Sequence, residues 1–109
     1  MEMILKRNNT EYLVTIDDED LQIVEDLQLG IRLTKHNTPY VFDTKTGKMA
    51  NKYIIPQNPN QIAIHKNGDK LDLRKENLLI VTKKELSSLI VDGEIKTRYN
   101  DYGEMVYVC

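Results

Sequence analysis

The stretch Gln61-Ile-Ala-Ile-His65-Lys-Asn-Gly-Asp69-Lys-Leu-Asp72-Leu-Arg74-Lys-Glu-Asn77-Leu-Leu-Ile-Val-Thr82-Lys-Lys-Glu85 decides how the rest of the chain is read. Gln61 to His65 is a short, β-branched apolar run and reads as a strand ending on a histidine. Lys66 to Glu76 is too polar and too rich in turn residues for a regular element, so it reads as an ordered loop. Leu78 to Val81 returns to extended character. Thr82-Lys-Lys-Glu85 is then a capping box: Thr82 accepts from the backbone N–H near Glu85, and Glu85 reaches back to the cap. A helix follows with Leu86, Leu89 and Ile90 on its apolar face, and Asp92-Gly93 ends it. The order is strand, long loop, short strand, capped helix: a ββα unit over residues 61–91.

Upstream, Glu11 to Ile16 alternates polar and apolar side chains as a strand with one buried face does. Asp17 or Asp18 is placed to cap a short helix, with Glu19 and Asp20 in its first turn and Leu21, Val24 and Leu27 at helical spacing before Gly30. This acidic segment, 17–26, is expected to be the solvated face and cap of that helix; the alternative is an acidic surface that mimics phosphate or meets a basic partner. Three short strands, Ile31 to Thr34, Tyr40 to Asp43 and Lys48 to Ile55, read as a meander, closed by the rigid Pro56, Asn58, Pro59 loop. Downstream, Glu94 to Tyr99 and Glu104 to Val108 flank Asn100-Asp-Tyr-Gly103 as a terminal β-hairpin. The expected fold class is α+β: a small antiparallel β-sheet with two short helices, the ββα unit and the C-terminal hairpin.

At 109 residues the chain is one domain, divided into an N-terminal part (1–60), the ββα unit (61–91) and the hairpin (92–109). Hydrophobic and charged contents of 40% and 29% are those of a globular protein, and no apolar run approaches the roughly 20 residues of a membrane span. Met1 to Arg7 has no basic flank followed by an apolar core, so a cytoplasmic location and no membrane partner are expected. The one cysteine, Cys109, excludes an internal disulfide framework and a multi-cysteine metal site, and reads as an incidental thiol. Net charge is −2, distributed as −6 over residues 1–29, +6 over 30–85 and −2 thereafter. That total excludes a generic polyanion binder, while a local basic face stays open.

The segment from His65 to Thr82 strongly resembles the HNH endonucleases of phages and mobile introns, which share the ββα-metal fold and commonly carry a stretch like D-H-I-N-G-D-K-L-D-N-R-x-x-N-L-R-I-V-T. The match is dense over residues 65–82; Tyr12 to Ile55 is similar, more weakly, to the strand, acidic helix and small sheet that precede the motif in many phage members. The resemblance implies that His65 stands at the general base and that Asn77 ties the loop together and orients that base. It makes Asn67, Gly68, Asp69, Asp72 and Arg74 structural loop residues, with Asp72 and Arg74 fixing the loop's shape. It also shows two departures. The metal ligand that usually precedes the base is Ile64 here, and the ligand on the helix, nine positions after the loop asparagine, is Leu86. Neither can donate a lone pair to a hard cation. The first-strand His-Arg pair of many phage members is also missing, with Asn51-Lys52 its nearest equivalent.

The resemblance and these departures together imply an HNH-like protein of phage or mobile-element origin, acting in the host cytosol, that no longer cuts but binds nucleic acid or a nucleic-acid-processing protein. No metal site and no cofactor are expected; Mg2+ or another divalent metal enters only if the chain is an active HNH endonuclease, with His65 and Asn77 catalytic. The candidate binding residues are Lys66, Lys70, Arg74, Lys75, Lys83 and Lys84, clustered at the loop and helix start where active relatives hold the DNA backbone. A different class stays open: an inhibitor of a host-defence nuclease, of the anti-CRISPR or anti-restriction type, docking through the acidic segment. Aromatic stacking finds little support, because Phe42 is the single phenylalanine, tryptophan is absent and the six tyrosines fall mostly at strand spacing. His36 reads as a solvated loop residue, and exposed edges of the terminal hairpin leave a homodimer open.

Overall fold

Two asparagines turn the chain back on itself almost at once. In the computed structural model, which describes residues 1–109, β1 (Glu2–Arg7) pairs antiparallel with β2 (Thr10–Thr15) in the register Glu2 to Thr15 and Arg7 to Thr10. Asn8 sits in the connecting turn at φ 55, a left-handed conformation that asparagine tolerates. Strand β1 was not expected from the sequence. Its inward side chains, Met3 and Leu5, alternate with Glu2, Ile4 and Lys6, and the exposed Ile4 breaks the polar and apolar alternation.

The acidic segment forms a 3-10 turn, Asp18–Asp20, running into a short α1 (Leu21–Glu25). This helix stops before Leu27, and neither Asp17 nor Asp20 caps a helix end with its side chain. Gly30 does not terminate it either but lies within β3 (Leu29–Leu33), which pairs with β4 (Pro39–Asp43) so that Ile31 faces Val41.

The third strand expected over Lys48–Ile55 is instead one turn of helix, α2 (Asn51–Ile54), with only an isolated bridge from Met49 to Phe42. Burial agrees with the helix: Ala50, Asn51 and Ile54 are buried while Lys52 is exposed, whereas a strand would put Lys52 on the same face as Ala50 and Ile54. The β-branched run that suggested a strand is overridden by this burial.

The ββα unit is present as read. β5 (Gln61–His65) pairs with β6 (Leu78–Thr82), Gln61 facing Thr82 and His65 facing Leu78, and α3 (Lys83–Val91) follows directly. Its capping box is complete, with Glu85 N–H donating to Thr82 Oγ1 at 3.1 Å and Thr82 N–H donating to Glu85 Oε1 at 2.9 Å. The terminal hairpin pairs β7 (Lys96–Tyr99) with β8 (Met105–Val108). The fold is α+β, with three helices rather than two and with four separate two-stranded antiparallel ladders in place of one small sheet. No helix is long and apolar enough to cross a membrane.

Two cores hold these hairpins together. The larger collects Val14, Ile16, Val24, Ile31, Val41, Ala50, Ile54, Leu73 and Leu78; the smaller is Ile64, Val81, Leu86 and Ile95. Leu73 belongs to the long loop of the ββα unit, and its burial draws that loop onto β2. Thr15 N–H donates to Leu71 O at 3.0 Å and Leu73 N–H to Thr15 O at 2.8 Å, a short parallel bridge that fixes the loop where its side chains matter.

Candidate functional site

His65 ends β5 with only 6% of its surface exposed. Its Nδ1 lies 3.2 Å from the main-chain oxygen of Asp72, which can only accept, so Nδ1 carries the proton. Nε2 lies 3.3 Å from Nδ2 of Asn51, which can only donate, so Nε2 offers its lone pair there. Both ring nitrogens are thus engaged by a neutral imidazole. Burial holds its pKa below the ordinary 6.5, and the charge of Lys70 pushes the same way against the Asp72 carbonyl.

The loop that supplies this carbonyl is locked by its own side chains. Asn77, buried, accepts from Asn67 N–H at 3.0 Å and donates to Asp72 O at 3.0 Å, while Lys66 N–H donates to Asn77 O at 2.7 Å. The Asp72 carboxylate takes Arg74 Nε at 2.9 Å and Nη2 at 2.7 Å, with Asn67 Nδ2 at 3.0 Å. The forked guanidinium holds Asp72 below the usual carboxylate value. Asp69 Oδ1 accepts from Leu71 N–H at 2.9 Å, and Gly68 takes φ 79 at the tip, where Arg98 donates to the neighbouring Asn67 O at 2.6 Å. Asn67, Gly68, Asp69, Asp72 and Arg74 are all structural parts of one loop.

The two positions where the resemblance would put metal ligands lie in the smaller core. Ile64 and Leu86 pack with Val81 and Ile95, and neither has an atom that can bind a cation. The residues present therefore do not fit a divalent metal beside His65. One cluster of three carboxylates does occur, Asp17, Glu19 and Asp20, remote in function because Lys75 fills it. The Lys75 ammonium is 3.0 Å from both Glu19 Oε1 and Asp20 Oδ1, and Lys75 N–H donates to Asp17 Oδ2 at 2.8 Å. The acidic segment is thereby a clamp on the loop of the ββα unit.

A cleft of about 380 Å³ opens at the His65 edge, between β5, α2 and β8. Its polar lining is Asn51, Lys52, Gln57, Gln61, His65 and Lys70, with no carboxylate among the lining residues. Lys52 makes no ion pair; Lys70 is shared with Glu104 at 3.0 Å. A neutral imidazole, three amides, the unpaired Lys52 and the Glu104-paired Lys70 form a site for an anion rather than for a cation.

The six lysines and arginines expected to bind do not act alike. Lys66, Lys83 and Lys84 make no ion pair, whereas Lys70 holds Glu104, Arg74 holds Asp72 and Glu76, and Lys75 holds Glu19 and Asp20. Lys83 and Lys84 begin α3 beyond Thr82, which pairs with Gln61, so they stand at the opposite end of β5 from Lys70. Sequence reading gave Lys52 no binding role and named Asn51-Lys52 only as the nearest equivalent of a missing pair; folding sets Asn51 against His65 and Lys52 in the lining of the same cleft. Tyr99, at the end of β7, and Tyr102, in the hairpin turn, are the other surface groups given no role from sequence, at 76% and 49% exposure. The chain was compared with protein families, with curated proteins and with solved structures, and nothing matches it.

Proposed function

We propose that the protein binds nucleic acid at the His65 cleft and does not cut it. The observation that carries this reading is the composition of the cleft: Lys52 and Lys70 beside a neutral histidine, with no acid among the residues that line it. Phosphate is the anion such a lining suits, because the unpaired Lys52 ammonium attracts it, with Lys70 adding the charge it shares with Glu104, and the amides of Gln57 and Gln61 supply further polar contacts. Lys66, Lys83 and Lys84 extend the positive surface from the ends of β5. Cutting would require a metal or a free base. Apolar core stands at the ligand positions, and Asn51 covers the one lone pair that His65 could use.

The test is nicking of supercoiled plasmid by wild type and His65→Ala with magnesium, manganese or EDTA, beside a gel-shift series in salt. The expected result is no nicking and a shift that weakens with salt, with a log–log slope of about −2 to −4 for two to four phosphate contacts. Lys52→Glu should abolish most of the shift while leaving the fold intact, since Lys52 is exposed. Metal-dependent nicking lost in His65→Ala would make the protein a nuclease after all. Absence of any shift would turn the search to a protein partner such as a host-defence nuclease, for which Asp18, Glu25 and Asp26 remain outside the Lys75 clamp.

A further inference from the structure

We propose that the nucleic acid taken up is single-stranded, with one unstacked base in the His65 cleft and its neighbours stacked on Tyr99 and Tyr102; this rests on the nucleic-acid reading above. Half of the residues lining the cleft are hydrophobic, with Met49, Ile62, Met105 and Tyr107 around the lysines and amides. A duplex presents phosphates and groove edges to a protein and keeps its apolar base faces stacked inside. A concave, half-apolar site with cations beside it is matched by a base together with its phosphate, which only an unpaired nucleotide exposes. The amides add polar edges for that base. Gln61 uses its oxygen on Asn58 N–H and keeps its amino group free, and Gln57 uses its amino group on Asn51 and Ile55 and keeps its oxygen free.

The path out of the cleft supports the same occupant. Gly68 and Lys70 line both this cleft and a second groove that contains Arg98, Tyr99 and Tyr102. In that groove Lys70 is already paired with Glu104, and Arg98 shares the lining with Asp69 and Asp101, so it has little attraction for phosphate. What it offers is the two tyrosine rings, exposed on the terminal hairpin beside the ridge that a strand leaving the cleft would cross. The two grooves thus divide the work: Lys52 holds phosphate in the cleft, and the tyrosines hold bases beyond it.

Fluorescence anisotropy with a labelled single-stranded 20-mer and the duplex of the same sequence, across a salt series, tests this. The single strand should bind about tenfold tighter than the duplex, and Tyr99→Ala with Tyr102→Ala should weaken it about tenfold without changing the salt slope. The paired Phe replacements should bind as wild type does, because the ring face is kept. Lys52→Ala should flatten the salt slope, separating the phosphate contact from stacking. Both tyrosines are exposed, so an unchanged melting temperature of the variants shows that the loss is not one of folding. Duplex binding as tight as single-strand binding, or tyrosine variants that bind normally, would overturn this proposal and leave the nucleic-acid reading standing. Failure of both probes to bind would overturn the two together.

Discussion

His65 and Asn77 donate to the same atom, the main-chain oxygen of Asp72, His65 through Nδ1 at 3.2 Å and Asn77 through Nδ2 at 3.0 Å. The asparagine makes no hydrogen bond to the imidazole; it fixes the carbonyl that fixes the imidazole. Asn77→Ala removes that donor, which is buried, and also the part-buried acceptor for Asn67 N–H. The expected loss of stability is about 2–4 kcal/mol, read from urea unfolding. Because the two side chains share one acceptor, the losses in Asn77→Ala and His65→Ala should not add in the double variant. A loss below about 1 kcal/mol would show that the loop holds its shape without Asn77.

The buried imidazole makes stability fall on the acid side of neutrality. The folded pKa of His65 lies below its ordinary 6.5, so as pH drops through that ordinary value the unfolded chain takes a proton that the folded chain refuses. Stability is therefore full above pH about 6.5 and declines below it until the folded histidine titrates, by at most about 1.4 kcal/mol per pH unit. Urea unfolding of wild type and His65→Gln at two pH values spanning this range checks the sign. Wild type should lose stability relative to the variant at the lower pH, and parallel behaviour of the two would refute a buried neutral histidine.

Asp72 has the opposite dependence. Its carboxyl is held below 3.8, first by the hydrogen bonds from Arg74, so its contribution is complete above that value and is lost as pH falls through the lower folded value. Arg74→Ala leaves a buried carboxylate with Asn67 as its remaining side-chain partner. The acid-unfolding midpoint, followed by circular dichroism, should move to higher pH in Arg74→Ala. Arg74→Lys should recover only part of the change, since a single ammonium cannot reproduce the forked contact. An unmoved midpoint would mean that the ion pair does not hold the loop.

Local signals carried the ββα unit from sequence to structure. The apolar strand ending at His65, the polar loop and the Thr82 to Glu85 box each act within a few residues, and each forms as the sequence indicates. What sequence reading missed depends on partners far along the chain. Asn51–Ile54 becomes helix with Ala50, Asn51 and Ile54 buried and Lys52 out, and Asn51 finds His65 fourteen residues away. Asp17 looked like a helix cap but turns to Lys75 N–H, fifty-eight residues on. Likewise, the basic residues around the loop read as one binding face, although the carboxylates that neutralise Lys70 and Lys75 lie in the hairpin and in the acidic segment. Glu104, Glu19 and Asp20 cannot be matched to them by spacing.

Gly68 links the loop to the terminal hairpin, and its replacement separates two kinds of cost. At φ 79 any other residue is strained, and a Cβ there would stand 2.7 Å from Arg98 Nη2 and 3.2 Å from Val108 Cγ1. The arginine end is flexible and can swing aside, though it then gives up its bond to Asn67 O. The valine is rooted in β8, whose end is pinned by Cys109 N–H donating to Lys66 O at 3.0 Å, and it yields less readily. Gly68→Ala should therefore cost about 1–2 kcal/mol, mostly from the left-handed backbone. Adding Arg98→Ala should change that little. Hydrogen exchange at the Cys109 amide should quicken in Gly68→Ala as β8 is pushed away from the loop. If Arg98→Ala instead restored full stability, the cost would lie in the clash and not in the backbone, and Gly68 would be a spacer for the arginine and not a turn residue.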